Sequence, residues 1–428
     1  GADAYYYMNP VLFDEEGKFS LKAIADYLYT FRGYFPILVA VATNGLESLF
    51  GIDRMYFYFI LYGILSAFTI GIAMPKLSEY FIDSKSTGYM SMAMFLLFFF
   101  FWNQHFYYAM TDIPAAMFAL SATAYILYGI QENNVKDIVL SGIFWGISIS
   151  YRTAYTYIFV AILIWCLAIE VLRIKRKQTR LKKAFQLMIG LFLGVLVITF
   201  PQFLINYQRG HIGFFPYDGG WKFDVNSSST VKLAWDSFTS GLHQYGLYSP
   251  SVFDKQLVAI DQIFYGQKVY SLGDLMYLVL SNPIEFILGY AKRLFWAMSA
   301  GIETIYYSIS YPAWLSTVAI IANYVIIWKF GGVFFDNEKK NFLKTKDKIL
   351  LVLITIASIG VQGLTHIERR YYLYYYLLMY FFVAFFLGRA NLPDIKIGTK
   401  YNLRRFLLLL LFVLNCFIWN RTIFYNFL

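Results

Sequence analysis

The sequence predicts an all-α polytopic membrane protein, and two observations favour this fold class. First, the 428 residues are 59% hydrophobic and 14% charged, whereas a soluble globular protein is about 45–50% apolar and about 25% charged. One core cannot hide this much apolar surface from water, so the excess is expected to face lipid. Second, the apolar residues fall into long runs that are separated by basic loops.

About ten transmembrane helices are predicted from these apolar runs. A span needs about 20 mostly apolar residues to cross about 30 Å of hydrocarbon. Several runs are shorter, so their ends are expected to extend into flanking aromatic residues, which suit the membrane interface. The predicted spans are Tyr56–Met74, Tyr89–Tyr107, Ile113–Ile130, Ile138–Ser150, Thr153–Leu172, Phe185–Ile205, Ala313–Ile327, Ile349–Val361, Tyr371–Leu387 and Phe406–Ile418.

Three basic loops predict the orientation of these spans. The loops are Arg173–Lys183, Lys339–Lys348 and Arg389–Arg405. Counting spans alternately from any one of them places the other two on the same side, which the positive-inside rule makes cytoplasmic. The net charge of +10 is therefore attributed to membrane topology, and no nucleic-acid partner is expected.

The opposite, outer face gathers ionisable residues from distant parts of the chain. Ionisable side chains at membrane level are costly and usually functional. We therefore expect the functional site on this face. Its residues are Asp3, Asp112, Arg152, Arg209, Lys292, Arg293, His366, Glu368 and Arg370.

Three regions are expected along the chain, together with interfacial helices. Leu21–Phe50 and Asn282–Phe295 mix charged residues with apolar runs, as helices that lie on a membrane do. The regions are an N-terminal transmembrane module (1–205) with a first outer loop (1–55), an extracytoplasmic loop with a juxtamembrane helix (206–295), and C-terminal transmembrane helices (296–428).

The two cysteines, Cys166 and Cys416, lie in apolar runs and are expected to be buried packing residues.

The opening residues GADAYYY place the carboxylate of Asp3 among aromatic rings. Such a carboxylate can act as a general base toward a hydroxyl group, while rings such as that of Tyr6 stack on a sugar. A solvated acid at a chain end is the alternative interpretation.

Three segments resemble the opening of the GT-C class of membrane glycosyltransferases, which use polyprenyl-phosphate sugars. They are GADAYYY, RGYFPILVAV at Arg32–Val41 and FGIDR at Phe50–Arg54. The dolichyl-phosphate-mannose-protein-mannosyltransferase-like members from bacteria are the most similar in pattern. The resemblance implies that Asp3 is the acidic catalytic residue of the first outer loop. It also implies that the first helix of that family lies before Gly1.

MTDIPAAMFAL, at Met110–Leu120, resembles the second acidic site of the same class, with Asp112 in the acidic position. A helix N-cap is the alternative role for Asp112, because Asp before Ile-Pro begins a helix well. PQFLINYQRG, at Pro201–Gly210, resembles the exit from a span into the large outer loop. Asn206 and Arg209 are expected to be structural or rim residues there.

HIERRYYLYYYLL, at His366–Leu378, has the pattern H-x-E-x-R-[FY] and resembles a motif of lipid-linked mannosyltransferases. The resemblance implies a cluster that binds a lipid phosphate and orients the sugar. Cationic side chains that reach to the interface are the alternative. The family often has Pro soon after the motif, whereas tyrosines follow it here.

The cations of the outer face are candidates for binding the donor phosphate. Arg370 comes first because it shares a helix face with His366, one turn away. Glu368 is expected to point elsewhere and to orient Arg152 or the sugar hydroxyls. Arg152 stands alone between two short spans and needs an anion, which is either a phosphate or the carboxylate of Asp3 or Asp112. The pair Lys292–Arg293 is expected either to hold the lipid phosphate or to anchor its helix at the interface.

The resemblance implies an inverting transferase that moves a sugar from a polyprenyl-phosphate donor to an extracytoplasmic glycan, lipid or protein acceptor. Asp3 is the expected base, and the expected location is the inner (plasma) membrane with the site on its outer face. A divalent metal (Mg²⁺ or Mn²⁺) shared by Asp3 and Asp112 is left open, although relatives mostly manage without one. The alternatives are a polysaccharide polymerase or O-antigen ligase, and a flippase or transporter of lipid-linked oligosaccharide.

Overall fold

Every secondary-structure element that the computed structural model describes is a helix. The described helices fall into two compact units. The first unit comprises Gly1–Lys222, Phe342–Ile354 and Tyr376–Gly388, and the second comprises the rest. The described residues are Glu16, Lys18, Ser20, 33–82, 88–102, 111–177, 181–208, 212–216, 272–284, 286–287, Tyr290, 345–360 and 372–389.

Two π-helical segments interrupt or extend the α-helices. Thr69–Ala73 joins the helices Arg54–Phe68 and Met74–Ile82, and Ile356–Gly360 follows the helix Thr345–Thr355. The helices are α1 (Tyr34–Phe50), α2 (Arg54–Phe68), α3 (Met74–Ile82), α4 (Gly88–Trp102), α5 (Asp112–Glu132), α6 (Val135–Tyr151), α7 (Tyr155–Lys175), α8 (Leu181–Gln208), α9 (Leu272–Ser281), α10 (Thr345–Thr355) and α11 (Leu373–Arg389).

Four of the described helical stretches are long and apolar enough to cross a membrane, which makes this chain a helical membrane protein. They are Arg54–Phe81, Asp112–Glu132, Tyr155–Lys175 and Leu181–Gln208. Each contains most of a predicted span and extends beyond it. Helices α4, α6, α10 and α11 overlap four further predicted spans. The predicted spans Ala313–Ile327 and Phe406–Ile418 lie outside the described residues, so the count of about ten stays a prediction.

Helix α5 is the centre of the first unit. In its most apolar stretch 89% of the residues are buried, compared with 33% in α7 and in α8. Helix α8 instead turns large apolar side chains outward, and Phe185, Phe192 and Val197 are each more than 60% exposed. Such a surface suits contact with lipid rather than water.

A two-residue turn joins α5 to α6, and its sequence explains it. Asn133 ends α5 in the left-handed conformation (φ 54°), which asparagine tolerates better than most residues. Asn134 begins α6 as its N-cap, and its side chain accepts from the amide of Lys136 at 3.0 Å. Arg173 on α7 then donates to the carbonyl of Ile130 at 2.9 Å. These bonds satisfy carbonyl and amide groups that a helix end leaves open.

Helices α6 and α8 pack backbone against backbone through two G-x-x-x-G pairs, Gly142–Gly146 and Gly190–Gly194. A Cβ atom added at Gly142 would lie 3.0 Å from the Cα of Gly194, and one added at Gly194 would meet the carbonyl of Val139. Small residues at a helix interface allow this close approach in membranes.

Replacing Gly142 by Ala is expected to reduce the free energy of unfolding by about 1–3 kcal/mol, the usual cost of overpacking. The added methyl group meets backbone atoms, which cannot turn aside. Gly63→Ala is the matched control, because nothing lies within 4 Å of a Cβ atom there and alanine favours helix. Denaturant unfolding in mixed micelles measures both variants. Equal stability of the two would contradict the close packing.

Candidate functional site

A buried ion pair joins the beginning of α5 to the end of α6. The Nη1 of Arg152 donates to Oδ1 of Asp112. Asp112 is 1% exposed and Arg152 is 8% exposed, so both charges are removed from water. The sequence predicts each residue separately as a site residue and leaves open whether the anion beside Arg152 is a phosphate or a carboxylate. In this structure the anion is the carboxylate of Asp112.

Local sequence places both charges where helix ends favour them. Asp112 is the first residue of α5, and its N-cap is Thr111. The structure therefore gives the N-cap position to Thr111 and places Asp112 in the first turn. A carboxylate is stabilised at a helix N-terminus and a cation at a helix C-terminus, and Arg152 follows the last residue of α6. Pro114 lies within the first turn of α5, where amide groups have no partner inside the helix.

A hydrogen bond and a ring contact hold the two helix ends together beside the ion pair. The hydroxyl of Ser148 donates to the carbonyl of Ala115 at 2.8 Å. The ring of Tyr151 stacks on that of Phe118, with 6.3 Å between centroids. These contacts fix the direction in which α6 presents Arg152 to Asp112.

The beginning of α1 docks at the same end of the unit. The amide of Gly33 donates to the carbonyl of Ser150 at 3.1 Å, and the amide of Phe35 donates to its hydroxyl at 3.3 Å. Tyr34 reaches across to α8, where its amide donates to Oε1 of Gln202 at 3.0 Å. The start of α1 therefore bridges α6 and α8 two residues from Arg152.

The opposite end of the unit carries a second polar cluster. Lys76 lies 3.4 Å from Asp137 and over the ring of Tyr128, 4.0 Å from its centroid. The hydroxyl of Tyr80 donates to Asp347 at 2.9 Å. A predicted span ended at Met74, but the helix continues past Lys76 because this cation finds a carboxylate and an aromatic face.

The ion pair and the first basic loop lie at opposite ends of one helix. Asp112 begins α5, and Arg173 contacts the carbonyl of Ile130 in its last turn. At 1.5 Å per residue, α5 is about 30 Å long, which matches the hydrocarbon thickness of a bilayer. This agrees with the predicted opposite sidedness of Asp112 and the Arg173–Lys183 loop. Which end faces the cytoplasm stays a prediction.

The other predicted site residues lie outside the described residues, so their roles stay predictions. Among the described residues, no group of three His, Cys, Asp or Glu side chains converges on one point. A metal shared by Asp3 and Asp112 also stays a prediction. Cys166 is fully buried, as expected for a packing residue. The predicted residues that lie outside are Asp3, Tyr6, Arg209, Lys292, Arg293, His366, Glu368 and Arg370.

Sequence comparison adds no relative. No protein-family model matches the chain, and no characterised protein or solved structure matches it.

Breaking the buried ion pair from one side is expected to cost about 3–5 kcal/mol, because it leaves the other charge buried without its partner. Arg152→Gln should show this loss, and the double variant Asp112→Asn/Arg152→Gln should regain most of it. The measurement is denaturant unfolding in mixed micelles. Lys76→Gln breaks the more exposed pair with Asp137 and should cost less. A double variant that is no more stable than Arg152→Gln would contradict the pairing.

Proposed function

We propose that this protein is a membrane glycosyltransferase of the GT-C type. It transfers a sugar from a polyprenyl-phosphate donor to a glycan, lipid or protein acceptor on the outer side of the inner (plasma) membrane. The observation that carries the proposal is the buried Asp112–Arg152 pair at one end of the helices. Its carboxylate occupies the acidic position of the resembling motif at Met110–Leu120. The docked start of α1, at Gly33, follows the segment that carries Asp3.

The reaction is a single displacement at the anomeric carbon. An acceptor hydroxyl forms the new bond to this carbon, and Asp3 takes the hydroxyl proton. The bond from the carbon to the phosphate oxygen breaks, and the phosphate leaves with the electron pair. Attack opposite the leaving group inverts the anomeric configuration.

Arg152 is the described residue best suited to stabilise the leaving phosphate. A guanidinium group carries five N–H donors in a rigid fork, so it can contact a carboxylate and a phosphate oxygen together. Asp112 holds the guanidinium in place before the donor arrives. A cation that is already oriented beside a leaving phosphate usually gives the largest single contribution to catalysis. Arg370 and His366 are the proposed second contact with the phosphate.

Asp3→Asn is expected to lower the turnover number by about 10²–10⁴-fold, because it removes the general base. Sugar transfer is measured with purified protein in liposomes, using a series of radiolabelled polyprenyl-phosphate sugars and a series of acceptors. Glu16→Gln is the matched control, since Glu16 is a carboxylate in the same N-terminal region with a 73% exposed side chain. Near-normal turnover of Asp3→Asn would contradict the assignment of Asp3 as the general base. Movement of lipid-linked oligosaccharide across the liposome, without product, would favour the flippase instead.

The proposed orientation predicts which residues a membrane-impermeant thiol reagent reaches on intact cells. Ile212 is 90% exposed and lies at the Asp112 end, so Ile212→Cys should be labelled. Lys177 is exposed at the other end, and Lys177→Cys should be labelled only after the membrane is opened. Both are made in a background without Cys166 and Cys416. The reverse pattern would invert the orientation and remove the proposed outer site.

A further inference from the structure

Two amide side chains on α8 form a continuous chain of hydrogen bonds at the Asp112 end. Gln202 accepts from the amide of Tyr34 at 3.0 Å and donates from Nε2 to Oδ1 of Asn206 at 2.9 Å. Asn206 then donates from Nδ2 to the carbonyls of Gly213 and Phe215, both at 2.8 Å. Gln202 is 4% exposed and Asn206 is 2% exposed. We call these two residues the amide relay.

The relay ties together two segments that approach α8 from different parts of the chain. One is the start of α1, and the other is residues 212–216, which follow α8. At their junction, a Cβ atom added at Gly33 would meet Ser150 and would lie 2.9 Å from Cγ of Pro216. Only a glycine at position 33 allows the chain there to lie this close to both Ser150 and Pro216.

Tyr34 has a further attachment point on α8, close to Pro201. The carbonyl of Ile198, three residues earlier, accepts from the hydroxyl of Tyr34 at 2.8 Å. Tyr34 is thus held at both ends, by its amide on Gln202 and by its hydroxyl on Ile198.

We infer that Gln202 and Asn206 are positioning residues, which hold the chain on both sides of the site in register with Arg152. The chain before Gly33 carries Asp3, and the chain after Pro216 is the long predicted outer loop. Both segments are anchored beside Ser150, two residues from Arg152. The inference rests on the proposed function for its effect on turnover, while the holding of the two segments stands on the hydrogen bonds alone.

Asn206 is the donor in both of its bonds to the carbonyls of Gly213 and Phe215. A variant that removes this donor without changing the size of the side chain therefore tests the relay. Asn206→Asp keeps the size of the side chain but replaces the Nδ2 donor by an oxygen that faces two carbonyl oxygens. Gln202→Met is the second variant, because it cuts the link to Tyr34 and to Asn206 without adding charge. Gln208→Glu is the matched control, since Gln208 is exposed at the end of the same helix and undergoes the same amide-to-acid change.

Two measurements on the full-length protein in liposomes test the inference. The first is the distance distribution between spin labels at Leu38 on α1, which is 54% exposed, and at Ile212. The second is kcat and KM for polyprenyl-phosphate sugar. A relay variant should broaden the distribution and lower kcat by up to about 10²-fold, as small misplacements do, with little change in KM. Gln208→Glu should change neither quantity.

An unchanged distance distribution in both relay variants would overturn the inference. A broadened distribution with normal kcat would also overturn it, because the relay would then be structural only. A wild-type protein that transfers no sugar, but whose relay variants broaden the distribution, would refute the proposed function and leave the relay standing. If Asn206→Asp does not fold, Gln202→Met decides between these outcomes.

Discussion

The backbone contact between α6 and α8 is the constraint on which the site depends. Gly142 and Gly194 meet where the two parallel helices touch. Ser150 follows Gly142 by eight residues, and Gln202 follows Gly194 by eight, so both lie about 12 Å further along their helices. The start of α1 bridges this matched pair, with Phe35 on Ser150 and Tyr34 on Gln202. A shift of one helix against the other would separate the two acceptors.

Electrostatics explains why the ion pair lies at helix ends rather than in the middle of the helices. A lone charge in a region of low dielectric is strongly unfavourable. Asp112 gains from the N-terminus of α5, and Arg152 gains from the C-terminus of α6, before either contacts the other. The two charges compensate each other in the resting protein. Under the proposed function, the donor phosphate would meet a cation whose position is already set. Asp137 and Lys76 form a separate compensated pair at the other end of the unit.

Hydropathy predicted the long helices well, because lipid contact requires apolar residues in every turn. It ended one span at Met74, since it scores Lys76 as a polar residue and takes no account of Asp137 and Tyr128. Asp112 and Arg152 were recognised singly, but their pairing depends on how α5 and α6 turn around Asn133. The relay residue Gln202 was missed, although G-x-x-x-G repeats in two apolar helices were a readable signal of close packing. The repeats do not show which residues of the two helices face each other, because that depends on how the helices are aligned along their length.

We propose that the donor phosphate binds at the Arg152 end of the helices. A polyprenyl-phosphate sugar with a photoreactive diazirine on the first isoprene unit tests it most directly, in liposomes with and without excess unlabelled donor. We expect cross-links on peptides near Arg152, Gly33 and Pro216 that excess unlabelled donor suppresses, and a loss of these cross-links in Arg152→Gln. Competed cross-links on peptides near Lys76 and Asp137, with none at the Arg152 end, would contradict it.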